Sequence, residues 1–233
     1  EFSLFFQPQC ELHNKKLVGA EVLSRWIKKD GSLISPAIFI PIFEKNGFIC
    51  EFDKFVWENT FKIIRKWLDE NRTIVPISVN VSRMSLESDA IIGILTNLQK
   101  KYNVPYEYIH FEITESAVMD DKTQLIQRVS KIRELGFDIA MDDFGSGYSS
   151  LNTLKDIPID VLKLDMDFLS GNLKNRKSDN ILTSVIRMAQ SLNLYTIAEG
   201  VETEEQANYL KNIGCNIIQG FYYSKPICKK EFE

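Results

Sequence analysis

Six short apolar runs in this chain of 233 residues close on an acid, an amide or a lysine: Asn80, Glu112, Asp142 with Asp143, Lys163, Glu199 and Gln219. Carboxylates and amides with no histidine or cysteine among them are hard oxygen donors, a set that suits Mg2+ or Mn2+. The chain has two histidines, His13 in a polar turn and His110 inside a strand-like run. That placement argues against histidine-based acid–base catalysis and against zinc. An earlier run adds Glu21, Leu23 and Arg25, which strand alternation puts on one face, with Val22 and Ser24 on the other. Taken alone, Glu21 and Arg25 fit an internal ion pair as well as they fit a site. Asp142-Asp143 is the sharpest element. Neighbouring strand residues point to opposite faces, so both acids reach one site only where the strand gives way, and Phe144-Gly145-Ser146-Gly147 supplies a break. One acid can then bridge two metal ions while its neighbour holds the second, an arrangement that clamps an in-line phosphoryl displacement.

These residues converge only if strands bring their ends together. Strand-like runs occupy residues 4–7, 16–26, 75–81, 108–113, 137–141, 161–164, 195–198 and 216–218. Helical periodicity marks 36–45, 53–71, 88–101, 122–135, 178–192 and 203–213. Pro8 stops the first run, Pro36 sits in the first turn of a helix, and Gly136 and Gly214 follow helical stretches as left-handed terminators. Strand alternating with helix predicts a parallel sheet. About eight strands in one domain predict an α/β fold closed as a (β/α)8 barrel, whose C-terminal strand ends share one mouth. A single polar strand end is a cap or a solvated loop; six at one mouth make a site.

Composition narrows what such a site could serve. With 44% hydrophobic and 26% charged residues the chain can bury a core. A net charge of −4 and a pI near 5.4 leave no broad cationic surface for a nucleic acid polymer, so an anionic substrate needs metal ions or a few placed Arg and Lys. Cys10, Cys50, Cys215 and Cys228 are too widely spaced for structural zinc or a disulfide framework, and read as reduced thiols of a cytoplasmic domain. No apolar run reaches the roughly 18 residues of a membrane span, and no signal peptide is visible. The chain enters a strand without an initiating Met, so residues 1–233 are expected to be one domain of a larger multidomain protein.

In order along the chain stand Phe6-Gln7-Pro8, Glu21-Val22-Leu23-Ser24-Arg25-Trp26, Asn80-Val81-Ser82 and Phe111-Glu112-Ile113-Thr114-Glu115. They are followed by residues 142–151, Lys163-Leu164-Asp165, Ala198-Glu199-Gly200-Val201-Glu202-Thr203, and the run from Gln219 to Pro226. Together these blocks resemble the EAL domain family, whose members hydrolyse cyclic di-GMP to linear pGpG on a modified (β/α)8 barrel. The resemblance implies that Glu21, Asn80, Glu112 and Asp142 hold a first divalent ion, and that Asp142 and Asp143 hold a second. It implies that Lys163 orients the attacking water and stabilises charge near it. Glu199 would be the general base or a water- and metal-orienting group, and Gln219 would complete the shell. Gln7, Leu23 and Arg25 would contact substrate, Arg25 at a phosphate, with Asp165 and Glu202 as weaker contacts to guanine or as support. Glu115 would brace the loop after Asp143, which in the family lies near a dimer interface, so a homodimer is expected. Sensor or cyclase-like domains are expected elsewhere in the protein.

The name-giving Glu-Ala-Leu is Glu-Val-Leu here, with Val22 expected to face the helical layer, and Met166-Asp167-Phe168 stands where the family more often has Arg-Ser-Phe. The alternative is a domain that binds cyclic di-GMP without turnover, a state that normally shows as missing ligands or a missing lysine; none is missing. A different barrel metallohydrolase, such as a glycerophosphodiesterase, would need paired histidines that the chain does not supply.

Overall fold

The computed structural model describes residues 1–118, 122–145, 151–165 and 176–233. Eight strands close a barrel: β1 (Phe2–Glu11), β2 (Leu17–Ile27), β4 (Ile77–Val81), β5 (Ile109–Thr114), β6 (Asp138–Phe144), β7 (Val161–Leu164), β8 (Tyr195–Ala198) and β9 (Ile217–Gln219). Going round the ring, β2, β4, β5, β6, β7, β8 and β9 pair in parallel, and β1 closes it antiparallel to both β2 and β9. Two short strands, β3 (Leu33–Ile34) and β10 (Ile227–Cys228), pair with β2 and β1 outside the ring.

Pro8 does not stop β1. The strand runs on to Glu11 because its second edge is served by β10 at Phe5 and Phe6 and by β9 from Gln9 onward. Pro8 falls in the gap between those two pairings, where a missing N–H costs nothing.

The helices cover the ring. They are α1 (Pro36–Asn46), α2 (Ile49–Asp69), α3 (Arg83–Glu87), α4 (Ile91–Tyr102), α5 (Lys122–Glu134), α6 (Leu151–Asp156), α7 (Arg176–Ser191), α8 (Glu204–Asn212) and a terminal turn, α9 (Lys229–Phe232). Local chemistry sets several ends. Ser35 accepts from Ala37 N–H ahead of Pro36, and Gly47, at φ 79°, stops α1. Thr203 and Gln206 form a reciprocal capping box at α8. The helix expected over residues 88–101 is α4, and a short helix that was not expected, α3, precedes it with Ser82 as its cap.

Strand alternation sorts side chains into two layers. Ile77, Val79, Ile109, Phe111, Ile113, Ile139, Met141, Leu162, Leu164 and Ile218 join the large core between barrel and helices, as does Val22. The inner wall carries a separate, small apolar cluster of Ala140, Val161 and Ile197, with Ile217 packed against it. Above that cluster the barrel interior is polar. The four cysteines are free, and no helix among the described residues is long and apolar enough to cross a membrane.

Candidate active site

Lys163 lies at the centre of the polar layer. It sits on β7, one residue before the strand ends, and is 0% exposed. Its Nζ lies 2.6 Å from Glu112 Oε2, 2.7 Å from Glu199 Oε1, 3.1 Å from Asp142 Oδ1 and 3.4 Å from Glu21 Oε2. Four strands thus deliver carboxylates to one buried ammonium, which could not stay there unpaired. Burial pulls the lysine pKa down, and its four acidic neighbours more than reverse this, leaving it well above its ordinary value. One positive charge does not balance the acids. Burial, then the Glu21 charge, pushes Glu112 well above the usual carboxylate range; burial likewise raises Glu199 to about 8 against the pull of Lys163. Asp143 is raised by burial and by the Asp142 charge beside it.

The backbone at Asp142-Asp143 explains how neighbouring acids reach one place. A break already lies inside β6, ahead of Gly145. The strand continues to Phe144, its register against β7 shifts between Met141 and Phe144, and Asp143 sits at φ 56°. This bulge turns both side chains to the mouth, and Asp is one of the few residues that tolerates the left-handed region. The Asp143 N–H donates to Asp142 Oδ1 at 2.9 Å. One oxygen each from Asp142, Asp143 and Glu199 lie within 4.8 Å of one another.

Those observations test the fit of a divalent cation. The donors are all oxygen, excess negative charge is buried, and Glu112 Oε1 has no hydrogen-bond donor among the described residues. The acidic cluster can bind a metal ion.

The other expected residues divide. Asn80, near the end of β4, is exposed at the mouth and donates from Nδ2 to Glu21 Oε1 at 2.9 Å. Trp57 of α2 holds it in place by donating to the Asn80 carbonyl, and Asp53 of the same helix accepts from Ser82 N–H. Gln7 and Gln219 are buried and bonded to each other, and Gln219 Nε2 also donates to Glu21 Oε2 at 2.6 Å. Leu23 and Arg25 line a cavity of about 440 Å3 that also touches Asn80 and Asp53. Arg25 lies over the Phe5 ring, and burial lowers its pKa against the opposing effect of Glu21. Glu115 opens a short 3-10 turn and accepts from Gly145 N–H at 3.4 Å, just past the bulge. Asp165 follows β7 and raises the pKa of Asp143 by its charge. Glu202 stands exposed before α8, outside the Lys163 cluster. Residues 146–150, with the expected dimer-proximal loop, and Met166-Asp167-Phe168 lie outside the described residues.

Asp53, Trp57 and Gln9 are the supporting side chains that sequence reading missed. Asp53 carried a signal: it falls among the buried positions Phe52, Val56, Trp57, Thr60 and Phe61 of α2, where an acid needs a partner.

Fold and centre together define a barrel of TIM type whose C-terminal mouth holds a lysine within a ring of acids able to take up a metal ion. The chain belongs to the EAL domain family, whose model matches residues 1–226. It is 37% identical over 232 residues to the signaling protein YkoW of Bacillus subtilis, covering 100% of this chain and 29% of that protein. It is 35% identical over 232 residues to the probable cyclic di-GMP phosphodiesterase PdeB of Escherichia coli, covering 100% of this chain and 44% of that one. The chain therefore spans less than half the length of either relative. Among solved structures, the PaMucR phosphodiesterase in complex with c-di-GMP superposes with a TM-score of 0.93 at 31% identity, covering 100% of this chain and 94% of that chain.

Proposed function

We propose that this chain hydrolyses cyclic di-GMP to linear pGpG, with Mg2+ or Mn2+ at two neighbouring positions in the mouth. The observation that carries this reading is the set of acids around Lys163, next to the cavity that Arg25 and Leu23 line. Two divalent ions, when bound, would acidify the attacking water and neutralise the phosphate oxygens on both sides of the in-line displacement. Glu21, Asn80, Glu112 and Asp142 would hold one ion, and Asp142 with Asp143 the other. Glu199 would act on the attacking water, as its general base or as the group that orients it and the metal. Lys163 keeps the acids together and offers positive charge where the phosphorane-like transition state gains negative charge. Arg25 would take a phosphate oxygen, Gln7 and Leu23 would bear on the nucleotide, and Asp165 and Glu202 would support it from the rim. Gln219 orients Glu21, and Glu115 holds the turn after the bulge.

The length of the relatives supports placing the chain in a larger protein, which we take to be cytoplasmic at this domain and to carry sensor or cyclase-like domains. A homodimer is proposed on the family resemblance. The test is incubation of the purified chain with cyclic di-GMP and Mg2+ or Mn2+, followed by nucleotide chromatography. Metal-dependent pGpG supports the proposal. Tight binding without product under any metal points to a receptor, and neither binding nor product sinks both readings.

A further inference from the structure

Gln9, named above among the supporting side chains, has no part in the proposed reaction. It is 4% exposed, lies one residue beyond Pro8 on β1, and faces Gly19 of β2 and Gln219 of β9 in the ladder. It also lines a cavity of about 550 Å3 at the N-terminal ends of the parallel strands, with Gly19, His110, Asp138, Val161 and Tyr195. That is the end of the barrel away from the acids. From there its Nε2 donates to Gln219 Oε1 at 2.9 Å.

This bond decides which way the Gln219 amide faces. With Oε1 engaged by Gln9, Nε2 is the end that meets Glu21 Oε2 at 2.6 Å and Gln7 Oε1 at 3.3 Å. A flipped amide would set its oxygen against a carboxylate with no proton between them, in a buried place where the lost bond is not replaced by water. Glu21 is in turn held at its other oxygen by Asn80 and lies 3.4 Å from Lys163. Three linked side chains, Gln9, Gln219 and Glu21, therefore run from the lower cavity to the acids.

Gly19 supplies the room. A Cβ on it would come 2.5 Å from Gln9 Oε1, and its backbone does not have a positive φ, so space and not torsion is what a side chain would violate.

We propose that Gln9 is a positioning residue that fixes Glu21 by locking the amide of Gln219, and that Gly19 is the gap that lets it do so. The turnover half of the test rests on the phosphodiesterase reading; the metal-binding half does not.

Gln9→Met keeps the length of the side chain and removes the donor. The expected result is a melt within a few degrees of wild type and Mn2+ affinity by calorimetry lowered about ten-fold, the low end for residues that orient metal ligands. For cyclic di-GMP, kcat should fall by about the same factor while KM moves by less than about two-fold. Gly19→Ala displaces the amide oxygen with the amide intact and should show the same pattern, which carries the test if Gln9→Met does not fold. In a Gln9→Ala background, Gly19→Ala should add little, because the two act through one contact. Wild-type Mn2+ affinity and kcat in folded Gln9→Met overturn the proposal, and so does a Gly19→Ala cost that persists without Gln9. A wild-type chain that binds Mn2+ but yields no pGpG overturns the phosphodiesterase reading instead, and leaves the Gln9 question to be decided by Mn2+ affinity.

Discussion

Stripped of divalent cations, the protein should lose stability as pH rises, and Glu199 should account for a defined part of the slope. Burial pushes its carboxyl up to about 8 in the folded chain, against about 4.3 for a glutamate in water. The folded state holds this proton more tightly than the unfolded chain. Its contribution is therefore complete below about pH 4 and is lost as pH climbs through about 8. From about pH 6 to about pH 8.5 the loss is about 2–3 kcal/mol. For a domain of this length that corresponds to roughly 4–12 °C in Tm. Glu112 and Asp143 are shifted the same way and steepen the trend. The assay is thermal melting in EDTA across that range, for wild type and for Glu199→Gln, whose slope should be smaller by the stated amount. Adding Mn2+ should reverse the trend, because the cation displaces the proton and binds more tightly as pH rises. A flat profile in EDTA, or a Glu199→Gln variant with the wild-type slope, refutes the argument from burial.

Lys163→Met withdraws the positive charge that four acids share; it should abolish turnover and cost about 3–5 kcal/mol, seen as a Tm lower by roughly 6–20 °C. Glu21→Ala should abolish turnover as well, so near-wild-type rates in both variants would sink the site assignment. Arg25→Ala should raise KM for cyclic di-GMP by about ten-fold or more while changing Mn2+ affinity by calorimetry far less, since Arg25 lines the cavity and bears on the acids through its charge on Glu21. Gly220→Ala should destabilise by about 1–3 kcal/mol or more in urea melts, because a Cβ there meets the Val201 backbone that fastens β9 to the approach to α8.

Much of the centre was legible in the sequence because a barrel turns strand ends into neighbours. Asn80, Glu112, Lys163 and Glu199 needed only that topology to become one site, and Glu21 needed only alternation along β2. What was not legible depended on context outside the local window. Pro8 reads as a stop until β9 and β10 are seen to share the second edge of β1, and stopping there hides Gln9. Asp53 reads as the start of a helix, yet α2 begins at Ile49 and buries it. The bulge at Asp143 lies in a run with strand-like composition, so the sequence shows a break only from Phe144 and the glycines onward. The two-residue strands β3 and β10 are too short to leave a period.

Hydrolysis of cyclic di-GMP in oxygen-18 water, with Mg2+, Mn2+, Ca2+ or EDTA and with mass analysis of the product, tests the central claim most directly. The account predicts pGpG with Mg2+ or Mn2+, one oxygen-18 atom in its 5′-phosphate, little product with Ca2+, whose looser and larger shell suits a tight two-ion clamp poorly, and none in EDTA. Unlabelled product, equal rates in EDTA, or no product with any cation would contradict it.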